Sequence, residues 1–328
     1  MKKKRKIRYD RVIAVMLIIA APIILMLKFH NKTGVQNSVK ADVRSVTAAA
    51  TTIASTEKII SVSTTTIPKI QQPECYAAAI YSVDDRQIIY NDNIDLKIAP
   101  ASLTKLLTAS VALKYVDKNK VFTVGSEQWL VQPYSSLCYL QIGNMLTLED
   151  LITGMLMASG NDAAYTIAVS VARELKPEIY MTDSEAVEYF CELMNEFAES
   201  IGMTKSNFVN PDGWDDDRQF TTVSDLIKIA EYALKNSDIF NITSSFQKNV
   251  TIYSGENFTW INSNLLLSPY SDHYCESAVG MKTGTTANAG NSLIAVFNKN
   301  ERNYITVVAG CKTDEGRYEL SLKLLSLI

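Results

Sequence analysis

The spacing of apolar positions changes along this chain, and each change marks an element. An apolar run of 16 residues, Val12 to Leu27, follows a cluster of seven basic residues: Lys2, Lys3, Lys4, Arg5, Lys6, Arg8 and Arg11. Residues 41–72 lose all periodicity. Eleven of these 32 are Ser or Thr and none is aromatic, so the stretch lacks the material for a core. From Cys75 onward order returns. Tyr76–Val83 and Gln87–Tyr90 read as two short strands about the turn Asp84-Asp85-Arg86. Leu103–Tyr115 has a helical apolar pattern, with Pro100 suited to its start. Leu148–Met157 and Ala163–Leu175 read as helices around the break Ala158-Ser159-Gly160-Asn161, and Ser184–Ser200 and Val223–Lys235 as two more. Ala278–Lys282, Ser292–Phe297 and Tyr304–Ala309 read as successive strands, and Glu315–Ile328 as a closing helix. Strands at both ends with helices between them predict an α+β domain whose sheet joins the two ends of the chain.

Charge divides the chain in the same way. Residues 1–40 hold ten Lys/Arg and one acid, whereas the rest holds 22 basic and 34 acidic residues. Basic residues ahead of an apolar run keep the N-terminus in the cytoplasm and send the downstream chain across the membrane. Residues 1–29 are therefore expected to be a basic cytoplasmic tail with a membrane anchor or signal. Residues 30–72 are expected to be a Ser/Thr-rich flexible linker, and 73–328 an extracytoplasmic folded domain. The acidic body argues against nucleic acid as a partner. The five cysteines (Cys75, Cys138, Cys191, Cys275, Cys311) are odd in number and form no CxxC pair, so their pairing stays open. With only His30 and His273 besides, no metal cluster is expected.

The histidine shortage also shapes the chemistry. A Ser-His-Asp triad needs a histidine base, and His30 stands beside the expected anchor. A serine hydrolase built here would use lysine. Ser-x-x-Lys occurs three times, at Ser55/Lys58, Ser102/Lys105 and Ser245/Lys248. Only Ser102 opens an apolar helix, where one turn puts its hydroxyl and the Lys105 amine on one face. Burial would lower the lysine pKa toward that of a general base. Ser159-Gly160-Asn161, between two helices, offers a second hydroxyl and an amide; taken alone it reads rather as a helix break with an N-cap for the next helix. Lys282-Thr283-Gly284 closes a strand, and an exposed edge there could pair with an extended peptide.

Order and spacing join these pieces. Ser-x-x-Lys, Ser-x-Asn about 57 residues on and Lys-Thr-Gly about 120 further form the motif set of penicillin-binding proteins and class A β-lactamases. From about Cys75 to Ile328 the chain resembles the low-molecular-mass D-alanyl-D-alanine carboxypeptidases of serine peptidase family S11. Further matches are Ser135-Ser136, Gly143, Thr147, Met194-Asn195, Gly202-Met203, Phe208-x-Asn210-Pro211-x-Gly213 and Gly280-x-Lys282-Thr283-Gly284-x-Thr286-x-x-Ala289-Gly290. The resemblance implies a transpeptidase-like fold, with an antiparallel sheet flanked by helices and a helical subdomain. It implies Ser102 as nucleophile, Lys105 as its base and Ser159 as proton relay. Asn161, Lys282, Thr283, Gly284, Thr285 and Arg317 would bind substrate, with the Ser102 and Thr285 N–H groups as oxyanion donors. The implied partners are stem peptides ending in D-Ala-D-Ala and acylating β-lactams, with no metal or organic cofactor. Asp212 departs from a common histidine and, with Asp215–Asp217, is expected in a solvated loop. A D,D-endopeptidase would use the same residues, whereas a non-catalytic penicillin-binding or wall-sensing module need not keep Ser102, Lys105, Ser159, Asn161 and Lys282, whose presence argues against it. A class A β-lactamase would need Glu-x-x-Leu-Asn, and Glu192-Leu193-Met194-Asn195 has the wrong spacing.

Overall fold

The computed structural model describes residues 74–328. The anchor and linker expected over 1–72 lie outside the described residues, as does the Ser55/Lys58 pair. Among the described residues no helix is long and apolar enough to cross a membrane.

The chain opens with β1 (Ala77–Ser82), buried along its whole length, and β2 (Gln87–Asp92). It closes with β7 (Ala278–Thr286), β8 (Gly290–Lys299), β9 (Arg302–Cys311) and helix α7 (Asp314–Leu325). These strands form one sheet in the order β2-β1-β9-β8-β7, with every neighbouring pair antiparallel. The first and last strands of the domain are thus paired at its centre, as the pattern predicted. A two-residue turn joins β8 to β9, with Asn300 and Glu301 both at positive φ (54° and 61°), the twist that a tight hairpin favours. Cys75 and Cys311 are disulfide-bonded across the β1–β9 seam and close a loop of 236 residues. Replacing Cys311 with alanine is expected to cost about 2–5 kcal/mol and lower Tm by roughly 5–15 °C. A melting curve unchanged from that of the wild type would show that the bridge adds nothing.

Alternation along the strands gives the sheet two apolar faces. Ala77, Ala79, Ile294, Val296, Ile305 and Val307 face the main core, and Ala78, Ile80, Val308, Leu293 and Phe297 face Leu320, Leu324 and Tyr318 of α7. On the main-core side, α5 (Val223–Lys235) lies across β1 and β9. Next to it stands α1 (Thr104–Tyr115), buried from Thr104 to Ala112. A helix enclosed on all sides needs apolar or internally bonded residues all round, and Ser110 meets this by donating to the Leu106 carbonyl at 2.7 Å. Around α1 pack α2 (Leu148–Met157), α3 (Asn161–Leu175) and α4 (Asp183–Ser200), the helical subdomain. Capping boxes start α2 (Thr147 with Asp150) and α4 (Thr182 with Glu185).

Several elements escaped the pattern. The short pair β3 (Val121–Thr123) and β4 (Met145–Thr147) is too brief to show alternation. Helix α6 (Ser237–Thr243) is two turns capped by Asn236, and the hairpin β5 (Gln247–Thr251) and β6 (Asn257–Ile261) is mostly exposed and polar. Ser245 falls between α6 and β5, its hydroxyl spent on the Asn241 carbonyl at 2.7 Å. Strand β7 does not stop at Lys282. It runs through Thr286, because the β-branched Thr283, Thr285 and Thr286 pair with Leu293, Asn291 and Gly290 of β8.

Candidate active site

Ser102 sits on a single tight turn, Ala101–Leu103, that feeds α1. Ala101 is buried and left-handed (φ 48°), which swings the next residue outward before the helix begins. Two glycines close on this turn. A Cβ on Gly213 (φ 91°) would lie 1.8 Å from the Ala101 carbonyl oxygen, and one on Gly284 would lie 3.1 Å from the Ser102 nitrogen. Residues 213 and 284 therefore press main chain against main chain beside the serine.

Beneath it is Lys105, with no exposed surface. Its Nζ donates to Ser102 Oγ (2.8 Å), Asn161 Oδ1 (2.7 Å) and the Asp212 carbonyl (2.7 Å). Burial lowers its pKa to about 8, against the opposing pull of Asp212 and Asp162. Lys282, also fully buried, donates to Ser159 Oγ (3.0 Å) and the Thr283 carbonyl (3.0 Å). Burial first, and then Lys105 and Arg317, push its pKa well below the usual lysine range. The Ser159 hydroxyl thus accepts from Lys282, while the Lys105 bonds go to Ser102, Asn161 and Asp212.

The Ser-Gly-Asn turn is shaped by its surroundings. Ser159 is left-handed (φ 59°) and Asn161 is the first residue of α3, two residues earlier than the apolar pattern predicted. Gly160 caps the helix. A Cβ there would meet Cys138 Sγ at 2.7 Å and Asp162 Oδ1 at 2.6 Å, so a larger residue would force these side chains to shift. The buried Asp162 carboxylate accepts from the N–H groups of Cys138 and Leu140, both at 3.0 Å, which turns Tyr139 outward at φ 67°. Trp260 of β6 donates to the Cys138 carbonyl at 3.1 Å, and Asn161 N–H to the Ser136 carbonyl at 2.8 Å. The 134–140 segment is so fixed as one wall of a cleft.

The opposite wall is the Phe208–Gly213 loop. Asn195 of α4 grips Phe208 by both main-chain groups, at 2.7 and 2.8 Å. Asn210 Oδ1 accepts from Gly213 N–H, and Thr108 of α1 donates to the Pro211 carbonyl at 2.6 Å. Asp215 then accepts from Thr286 Oγ1 (2.6 Å) and Asn288 N–H (3.0 Å), tying this loop to the β7–β8 turn. The cleft between the walls is small, about 70 Å³, and its lining includes Ser102, Tyr134, Ser135, Asn161, Trp214 and Thr285.

Thr283 is buried and bonded to Ser263 (2.7 Å), and Gly284 abuts the serine turn. Thr285 reaches the surface at the cleft and accepts from Arg317 Nη1 at 3.1 Å. Arg317 itself is buried behind β7. It donates to the Gly284 and Ser292 carbonyls and Tyr318 Oη, and pairs with Asp314. His273 stacks on Tyr318 on the α7 side of the sheet.

All nine residues singled out from the sequence thus stand on or directly behind one cleft. The solvated-loop reading of Asp212 is overturned: its side chain is buried, accepting from Asn161 Nδ2 at 2.6 Å and Trp214 N–H at 3.1 Å. Asp217 alone of that acidic run is exposed. Asp212 was missed because a run of acids reads as solvated. The signal that bore on it was its place inside the Asn-Pro-x-Gly turn. Tyr134 was missed outright, since an isolated surface tyrosine leaves no pattern.

An antiparallel sheet with one helix behind it, a helical subdomain in front, and a serine–lysine pair below the edge strand define the penicillin-binding protein and β-lactamase class of fold. Within it, the chain belongs to the D-alanyl-D-alanine carboxypeptidase family, peptidase S11, whose model matches residues 64–313. It is 33% identical over 259 residues to D-alanyl-D-alanine carboxypeptidase DacC of Escherichia coli, covering 73% of this chain and 57% of that protein. It is 27% identical over 255 residues to DacF of Bacillus subtilis, covering 77% and 61%. The chain thus spans about three-fifths of the length of these curated relatives. Among solved structures it resembles the Streptomyces K15 DD-transpeptidase, with TM-score 0.69, 25% identity, and 78% and 98% of the two chains covered. Penicillin-binding protein D2 of Listeria monocytogenes, solved in its ampicillin-bound form, matches with TM-score 0.64 and 26% identity over 79% and 99%.

Proposed function

We propose that the protein is a serine-type D-Ala-D-Ala carboxypeptidase that trims the terminal D-Ala from peptidoglycan stem peptides. The observation that carries this reading is the contact of Lys105 Nζ with Ser102 Oγ at 2.8 Å inside a buried polar cluster, since it pairs a nucleophile with a base able to lose its proton near neutral pH. Ser102 Oγ attacks the carbonyl of the penultimate D-Ala while Lys105 takes its proton. The peptide C–N bond breaks, and the terminal D-Ala leaves as an amine protonated through Ser159. Water then cleaves the ester and frees Ser102. The N–H groups of Ser102 and Thr285 hold the oxyanion. The open edge of β7 pairs with the extended peptide, and Asn161 Nδ2 donates to its carbonyl. The positive charge of Arg317, relayed through Thr285, and Lys282 with Thr283 suit the terminal carboxylate. β-Lactams acylate the same serine.

The basic-then-apolar N-terminal sequence and the Cys75–Cys311 disulfide support an extracytoplasmic domain held at the bacterial membrane, with residues 30–72 as its tether.

The test is D-Ala release from a peptide ending in D-Ala-D-Ala by the full-length protein, beside Ser102→Ala. Release by the wild type alone supports the assignment. Absence of release from both, with both folded, would overturn it and turn attention to crosslink cleavage or sensing.

A further inference from the structure

Among the described residues, Asp212 is the buried acid in contact with the serine–lysine pair that the proton transfers of acylation leave without a task. Resting on the carboxypeptidase reading, we propose that Asp212 is a positioning residue of the acylation step: its carboxylate and its main-chain carbonyl together aim the free valence of Lys105 at Ser102.

The geometry is one of donors and acceptors. A neutral amine has two N–H donors and one lone pair. Lys105 has three oxygen neighbours: Ser102 Oγ, Asn161 Oδ1 and the Asp212 carbonyl. The carbonyl of Asp212 and the amide oxygen of Asn161 can only accept. They take the two N–H bonds, which leaves the lone pair for the third neighbour, the hydroxyl that must give up its proton. This holds only while Asn161 presents its oxygen to Lys105. A turned amide would present N–H instead, and the lone pair would be drawn to the amide. The carboxylate prevents the turn. Asp212 Oδ2 accepts from Asn161 Nδ2 at 2.6 Å, and its own Oδ1 is held by Trp214 N–H at 3.1 Å. An orienter behind the base, behind the nucleophile, is the logic of a catalytic triad carried out with an amide.

Charge adds a second consequence. The groups acting on Lys105 are Asp212, Asp162 and Cys138, with Lys282 also close enough to interact. The groups interacting with Asp212 are Lys105, Tyr165 and Cys191. Asp212 is the carboxylate with the largest influence on the lysine, and it favours the protonated form. Its removal lets Lys105 lose its proton at lower pH.

Two variants test the proposal, Asp212→Leu and Asp212→Asn, beside wild type and Ser102→Ala. Each full-length protein is mixed with a fluorescent penicillin, and the labelling rate is followed across pH together with Tm. Asp212→Leu leaves the amide free to turn and is expected to label about 10²-fold more slowly. Asp212→Asn keeps one acceptor but no charge, and the acidic limb of its rate profile is expected to move to lower pH. A residue that only supports the fold would lower Tm and labelling alike at every pH and leave the limb in place. Should Asp212→Leu fail to fold, Asp212→Asn decides alone. Coincident acidic limbs for Asp212→Asn and wild type would overturn the proposal. Failure of the wild type to label, by contrast, would count against the carboxypeptidase reading itself.

Discussion

Replacing Lys105 with methionine is expected to slow acylation of Ser102 by about 10²–10⁴-fold, the range of a lost general base. Methionine fills a similar volume, so the site stays packed while the proton acceptor is gone. The wild-type rate carries a matching signature. Only the neutral amine accepts a proton, and the Lys105 pKa is lowered to about 8. Acylation should therefore rise with pH and level off above roughly pH 8. Below that pH the ammonium occupies all three of its oxygen neighbours as donor and has no lone pair to offer. Labelling by a fluorescent penicillin from about pH 6 to about pH 10 reads both effects. A Lys105→Met protein that labels within tenfold of the wild type would mean the base lies elsewhere, and Lys282 would be the next residue to examine.

Gly213→Ala is expected to remove most acylation as well, by a different route. The added Cβ would sit 1.8 Å from the Ala101 carbonyl oxygen and 2.3 Å from its carbon. Both partners are main chain, so neither can rotate away, and the turn that carries Ser102 must shift. A displacement near 1 Å is enough to cost about 10²-fold in rate. The substitution also forces alanine to φ 91°, a penalty of about 1–2 kcal/mol that belongs to the backbone alone. Gly255→Ala separates the two. Gly255 has φ 102° with nothing within 4 Å of its Cβ position, so it bears the conformational penalty without the collision. Both variants should melt lower than the wild type, and only Gly213→Ala should lose labelling. Equal labelling by the two would sink the claim that residue 213 shapes the nucleophile turn.

These expectations rest on contacts that differ in how plainly the sequence announced them. The Ser102–Lys105 pair was legible because the two residues stand three apart where the Ala101–Leu103 turn runs into α1, and that spacing alone puts them together. The meeting of β1 with β9 was legible because strand patterns occupied both ends of the chain and helical patterns the middle. Cys75 and Cys311 flank those two strands, yet no spacing rule paired them until the seam was seen.

The acceptors of Lys105 were another matter. Asn161 lies 56 residues away and Asp212 107 residues away, and the bond between Asn161 and Asp212 spans 51. Bonds across such separations leave no period in a sequence. Asp212 even carried a misleading sign, since three acids close behind it argued for water. The turn at Asn210–Gly213 folds it inward instead, because Gly213 packs against Ala101 and leaves Asp212 facing Asn161. The serine–lysine spacing and the strand patterns at the two chain ends were readable from the residues in order, since each depends on local spacing, whereas Ser159-Gly160-Asn161 and Lys282-Thr283-Gly284 took their meaning only from the resemblance to a family motif set. Only the folded chain settles which oxygens hold the lysine, which amide orientation they impose and why Gly213 must be glycine, because those are matters of which distant segments come within 3 Å of one another.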